Sequence, residues 1–226
     1  MVGSAALCPS APLLVAELGG AHPALPELRR ATADAVAAML DTAPDLVAVV
    51  GPAPRTAPWP ANAVVDFGPF RGQAATAGPV LPLSLALGAT LLRDAGYDGA
   101  TLLQGVAPDA PPEVCVGLGE RLTGADALLV VADGSARRSL KAPGWFDPRA
   151  AAFDAAAASA LRRGDVGALL DLDPDLAIAL QAAGRSSWQV LAGATRGTPC
   201  TARLHYADAP FGVGYLVATL RFGTAP

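Results

Sequence analysis

The chain has 226 residues, of which 52% are hydrophobic and 16% are charged, and its net charge at pH 7 is −4. The acidic balance and the scattered arginines argue against a nucleic-acid surface as the main function. The mean hydropathy of +0.39 is high, but no uninterrupted apolar run reaches the length of a membrane helix, so no membrane association is expected.

Cysteine usage and the N-terminus indicate the compartment. Cys8, Cys115 and Cys200 are widely spaced and form no CxxC pair, so neither a disulfide framework nor a zinc knuckle is predicted. The apolar N-terminus has no basic residues and contains two early prolines, which predicts a cytoplasmic protein without a signal peptide. The lysine-poor composition is typical of a high-GC bacterial genome. The high apolar content also favours a subunit interface, so we expect a homodimer.

Short apolar runs bounded by turn residues predict the strands of a sheet. The proline-rich stretch 56–60 is expected to lack regular structure. The linker 207–212 suits a turn between two antiparallel strands. Strands are predicted over residues 2–8, 45–50, 63–67, 99–104, 127–131, 200–206 and 213–221.

Helical spacing and capping signals predict the helices between these strands. Asp147-Pro148 and Asp173-Pro174 each place an N-cap before a proline at the first helical position. Helices are predicted over residues 28–40, 81–95, 111–122, 147–163, 173–183 and 186–194. The alternation predicts a single α/β domain over residues 1–226, with a central mixed, largely parallel sheet flanked by helices. Neither GxGxxG nor a P-loop is present, so no nucleotide cofactor is indicated.

Polar residues follow three of the predicted strands where those strands end. They are Ser10, Arg55, Asp133, Ser135 and Arg137. Ligands in open α/β sheets bind outside the carboxyl ends of parallel strands, which predicts a pocket there. The alternative is that Asp133 or Ser135 caps a helix and that the arginines are merely solvated.

The two histidines, His22 and His205, limit the chemistry that can be expected. No GxSxG elbow is present, so a Ser-His-acid triad is not favoured. The histidines do not fall at metal-ligand spacing, and no metal site is predicted.

Four segments together resemble one family. They are residues 6–14 (ALCPSAPLL), 128–138 (LLVVADGSARR), 184–194 (GRSSWQVLAGA) and 208–218 (DAPFGVGYLVA). In this order they resemble the class III extradiol ring-cleavage dioxygenase subunit-B (LigB-like) superfamily, which also contains the Memo-type proteins. The resemblance implies an α/β fold with a central mixed sheet. It also implies a non-haem Fe(II) held by two His and one Glu, with a further His as acid–base.

The ligands of that iron site are not retained at the matching positions. The first ligand His corresponds to Ser10, and the second falls at residues 51–53. The acid–base His corresponds to Ala136, and the Glu falls near Gly184. The family site needs three histidines and this chain has two, so no cofactor is expected.

Three hypotheses follow. The favoured one is a LigB-like protein without the iron site, its pocket reused for a small, anionic ligand that pairs with Arg55, Arg137 or Arg185. The second is a non-catalytic interaction or regulatory subunit. The third is an active ring-cleavage dioxygenase with unusual ligands, such as His22, His205 and an Asp.

Overall fold

The computed structural model describes residues 1–18, 22, 25–60, 62–74 and 77–223. The strands are β1 (Ser4–Cys8), β2 (Leu46–Pro52), β3 (Ala57–Trp59), β4 (Ala100–Val106), β5 (Ala127–Val131), β6 (Cys200–Asp208) and β7 (Tyr215–Phe222). The α-helices are α1 (Leu25–Leu40), α2 (Leu83–Asp94), α3 (Pro112–Arg121), α4 (Ala150–Arg163), α5 (Pro174–Ala179) and α6 (Gly184–Ala194).

The strands form one mixed sheet in the order β3-β4-β2-β5-β1-β7-β6. The four central strands, β4, β2, β5 and β1, are parallel, whereas β3, β7 and β6 pair antiparallel to their neighbours. The predicted single-domain α/β fold with a largely parallel central sheet is therefore confirmed.

Helices cover both faces of the sheet. One core contains apolar side chains of α1 and α2, and the other contains those of α3, α4 and α6. Along β1, Ala5 and Leu7 belong to the second core, while Ala6 and Cys8 belong to the first. Successive strand residues point to opposite faces, so a strand buried on both sides reads as the continuous apolar run found in the sequence.

Two predictions in the segment between β2 and α2 were wrong. Residues 57–59, expected to be irregular, form β3, because an edge strand tolerates a proline such as Pro58 that cannot donate to the ladder. Residues 63–67, expected to be a strand, contribute only an isolated bridge from Val64 to Val80. The chain turns at Asp66, whose carboxylate accepts a hydrogen bond from the Gly68 amide at 2.7 Å.

Two of the helix boundaries that differ from the prediction have a clear local cause. Asp147 accepts a hydrogen bond from the Arg149 amide in a turn that precedes the helix, so α4 begins at Ala150 instead of residue 147. Asp173 is the predicted N-cap of α5, with its carboxylate 2.9 Å from the Leu176 amide. That helix ends at Ala179 because Gln181 adopts a left-handed backbone with φ of 53°.

Among the described residues, no helix combines the length and the apolar character needed to cross a bilayer.

Candidate functional site

The carboxyl ends of β1 and β5 form the candidate site. These strands are parallel neighbours, but β1 leads to α1 on one face of the sheet and β5 leads to α4 on the other. Where the chain leaves adjacent strands toward opposite faces, the loops diverge and open a crevice. We call the place where these two strand ends meet the β1–β5 crevice.

Ser10 and Asp133 meet in this crevice. Cys8 lies opposite Val131 in the parallel register, so the residues two positions further along each chain come together. The Ser10 amide donates a hydrogen bond of 2.8 Å to the Asp133 carboxylate. The predicted convergence of these two strand ends is therefore seen in the geometry.

Burial raises the pKa of Asp133 to about 7, although the hydrogen bond from the Ser10 amide acts in the opposite direction. The neighbouring Asp154 carboxylate raises it further. Burial raises the pKa of the Tyr215 phenol, and the nearby Asp133 carboxylate raises it further. A carboxyl group with a pKa near neutrality can donate or accept a proton at cellular pH.

The backbone around Asp133 is held on several sides. Its carbonyl accepts a hydrogen bond of 2.9 Å from the Gly184 amide, which fixes the start of α6. The next amide, that of Gly134, donates to the Gly214 carbonyl at 2.7 Å just before β7. Strand β5, helix α6 and strand β7 thus position the Asp133 side chain.

Ser135 and Arg137 lie in the turn that follows. The fully buried Ser135 hydroxyl donates to the Leu180 carbonyl at 2.9 Å and accepts from the Arg137 amide at 3.1 Å. The Arg137 guanidinium donates to the Ala179 carbonyl at 2.9 Å. Both residues tie the turn to the end of α5, so a ligand that used the Ser135 hydroxyl would have to displace one of these bonds.

Asp154 on α4 supports the same turn. Its carboxylate accepts from the Ser135 amide at 2.8 Å and pairs with the Arg138 guanidinium at 2.7 Å. Burial raises the pKa of Asp154 above its ordinary value, while these two donors oppose the shift. Gly134 and Gly214 flank the carboxylate so closely that a Cβ at either position would overlap it. The glycines therefore make room for the buried acid.

Arg185, like Ser135, is a predicted site residue that is fully buried. Its guanidinium donates to the carbonyls of Pro108 and Ala110 at 2.8 and 2.6 Å and to the Gln189 side chain at 3.0 Å. Burial lowers the pKa of Arg185, and the Asp109 carboxylate opposes that shift. These contacts fix the loop after β4 to α6 and leave the Arg185 side chain no exposed surface.

The remaining predicted residues lie away from the Ser10–Asp133 contact. Arg55 is exposed, with its guanidinium carbon 5.2 Å from the ring centroid of Trp59. His205 is on β6, 2.8 Å from the Thr219 hydroxyl of β7, and burial lowers its pKa. His22 packs against Phe211, with ring centroids 4.5 Å apart. The structure therefore brings Ser10 and Asp133 together in one contact, and Ser135 and Arg137 in another.

The residues present do not fit the iron of the resembling family. Within the described ranges, no group of three His, Cys, Asp or Glu side chains could hold a metal ion. A Cβ at Gly51 would lie 2.5 Å from Ser84, and one at Gly184 would lie 2.9 Å from the Trp188 ring. Backbone and side chains thus occupy the space that a longer ligand residue would need at these two positions.

Sequence reasoning missed Asp154 and Arg138. Asp154 shares a helix face with Phe153 and Leu161, so an acid on an otherwise apolar, alanine-rich face was the available signal. Arg138 was visible beside Arg137, but nothing in the pattern showed which arginine pairs with an acid.

Comparisons with known proteins show the fold alone. No protein-family model matches the chain. No curated protein matches it either. A crystal structure of an uncharacterized protein, JW3007 from Escherichia coli K12, is similar with a TM-score of 0.54 and 12% sequence identity. The similarity covers 97% of this chain and 99% of that one, so it extends over the whole architecture.

Proposed function

We propose that this chain is a LigB-like protein that lacks the family's iron site and binds a small organic molecule in the β1–β5 crevice. The observation that carries the proposal is the half-buried Asp133 carboxyl at the Ser10 amide, with its pKa raised to about 7. Burying a carboxyl without a cationic partner disfavours its charged form. A carboxyl whose burial is unfavourable in free energy is commonly found where the protein needs that group for its function.

The protonation state of Asp133 selects the ligand. Below pH 7 the neutral carboxyl can donate a hydrogen bond to an anionic or carbonyl oxygen. Above pH 7 its charge repels an anion. The proposal therefore favours a small carboxylate or a similar acceptor, bound best on the acidic side of neutrality.

Arg137 is the predicted arginine whose backbone belongs to the same turn as Asp133. Its amide donates a hydrogen bond to the Ser135 hydroxyl. The side chain is half-buried, and one guanidinium nitrogen donates a hydrogen bond to the Ala179 carbonyl. The other nitrogens could pair with an anion. Arg185 would act only indirectly, by holding the loop after β4.

Two measurements test the proposal. Amide NMR spectra of the protein are recorded with benzoate, salicylate, 3,4-dihydroxybenzoate and catechol, and metal content is measured on freshly purified protein. We expect saturable shifts at the Ser10, Asp133 and Gly134 amides with at least one probe, and no stoichiometric iron. The absence of a saturable shift at these three amides with any of the four probes would refute the proposal. Stoichiometric iron would refute it as well.

A further inference from the structure

A cavity whose lining includes neither Ser10 nor Asp133 lies between α4 and the β6–β7 pair. Its volume is about 230 Å³. One wall is formed by small residues on a single face of α4, among them Ala155, and the other by the start of β7 at Tyr215. At roughly 30 Å³ per water, this space equals about eight waters and suits a small metabolite.

Arg138 and Asp154 form the floor of this cavity. The Asp154 side chain is only 4% exposed and pairs with one nitrogen of the Arg138 guanidinium. Among the described residues, no other group accepts a hydrogen bond from that guanidinium. The net charge of the pair is close to zero. The ion pair nevertheless fixes the position of the Arg138 guanidinium, whose remaining N–H donors are free to bind a ligand.

Two opposite charges lie on the rim. Arg162, on α4, and Asp208, at the end of β6, both line the cavity and are exposed. In the part of the chain that the structure describes, no ion pair within 4.0 Å joins them. One Asp208 oxygen accepts from the Ala209 amide at 2.7 Å, which leaves the other oxygen available.

We propose that this cavity binds a small zwitterion. Its carboxylate would lie between Arg138 and Arg162, and its ammonium group would lie against Asp208. The opposite signs of the charges around the cavity favour a ligand that carries both groups, because an anion alone would leave Asp208 unpaired and a cation alone would face two arginines. The alanine wall and Tyr215 leave room for a short apolar side chain.

Isothermal titration with glycine, L-alanine, L-leucine and 4-aminobutyrate tests this site, with propionate and propylamine as single-charge comparisons. We expect at least one zwitterion to bind at least about tenfold more tightly than either single-charge probe. Arg162→Gln and Asp208→Asn should each weaken that binding at least about fivefold. Arg163→Gln, which changes the neighbouring arginine bonded to Ser159, should leave it unchanged.

A cavity-filling pair separates loss of the site from loss of the fold. Ala155 and Ala156 are both exposed on α4, but only Ala155 lines the cavity. Ala155→Leu should abolish zwitterion binding with an unchanged melting temperature, and Ala156→Leu should bind like the wild type. No preference for zwitterions, or equal binding by the two leucine variants, would overturn the proposal. Neither outcome bears on the β1–β5 crevice, which is tested with different probes and by NMR shifts of its own amides.

Discussion

The Asp133 carboxyl is the residue on which the account of the site depends. Its pKa is raised from 3.8 to about 7, so between these values the folded chain binds more protons than the unfolded chain. Stability contributed by the neutral form is therefore present at low pH and is lost as pH rises toward 7.

This linkage predicts the behaviour of Asp133→Asn, which keeps an acceptor for the Ser10 amide and cannot ionise. Relative to the wild type, the variant should gain about 2 kcal/mol in free energy of unfolding between pH 5 and pH 8. Urea denaturation at the two pH values measures the change. If the difference in free energy of unfolding between variant and wild type stays constant with pH, ionisation of Asp133 does not destabilise the folded protein.

Replacing Asp154 is expected to have a larger effect on the free energy of unfolding. Asp154→Ala leaves the Ser135 amide without its acceptor and Arg138, with its side chain 25% exposed, without its ion pair. We expect a loss of about 3 kcal/mol in free energy of unfolding. Asp171→Ala removes an exposed acid and serves as the control, with an expected change within about 0.5 kcal/mol. Equal effects of the two variants in urea titrations would contradict this role for Asp154.

At the scale of single residues, the sequence allowed the Ser10–Asp133 convergence to be anticipated, because both follow buried parallel strands. It could not reveal that Arg185 is buried, because two of the three partners of Arg185 are backbone carbonyls that any sequence could supply. The same limit applied to Ser135, whose hydrogen bonds are to the backbone.

At the scale of elements, the contact between α3 and α6 holds one face of the sheet together. The two helices approach so closely that a Cβ at Gly119 would overlap the Val190 carbonyl, and one at Gly193 would lie 2.5 Å from the Val116 carbonyl. Backbone atoms cannot move aside as a flexible side chain can, so these positions need glycine.

A pair of variants on α3 tests this packing. Gly119→Ala should lower the free energy of unfolding by about 1–3 kcal/mol through overpacking. Gly117→Ala, whose Cβ would meet only the Arg121 side chain at 3.8 Å, should raise it by up to about 1 kcal/mol because alanine favours the helix. Thermal and urea unfolding of both variants provide the measurement. Stabilisation by Gly119→Ala would show that the helices are not in backbone contact.

The predicted elements were most accurate where burial alone decides the structure. The apolar run of β5 was predicted with its bounds, Ala127–Val131, because both of its faces are covered. Predictions failed where edge position or a local turn determines the structure. Strand β3 lies at the sheet edge, and the backbone conformation of Gln181 ends α5. These outcomes depend on edge position and backbone conformation, which hydrophobic patterns do not encode.

At the scale of the whole molecule, an exposed apolar surface supports the homodimer expected from composition. Trp145, Phe146 and Ile178 are 64%, 45% and 53% exposed. The segments that carry them are adjacent, since a Cβ at Gly144 would lie 2.6 Å from the Gln181 side chain. Exposed apolar side chains on adjacent segments are typical of an interface.

Light scattering after size-exclusion chromatography should therefore give about twice the chain mass of 22.6 kDa. The double variant Trp145→Ser/Phe146→Ser should shift the protein toward the monomer, because it removes apolar area from the interface. Phe70→Ser, which removes an aromatic side chain 51% exposed on another segment, is the control. A wild-type monomer, or equal masses for both variants, would contradict the prediction.

The proposed function rests on a ligand contact with Asp133 in the β1–β5 crevice. The measurement that tests it most directly is the affinity for the benzoate-type probe that binds best, followed from pH 5.5 to pH 8.5 in the wild type and in Asp133→Asn. Wild-type affinity should fall as pH rises through about 7, and the affinity of the variant should stay constant. Parallel profiles for the two proteins would contradict it.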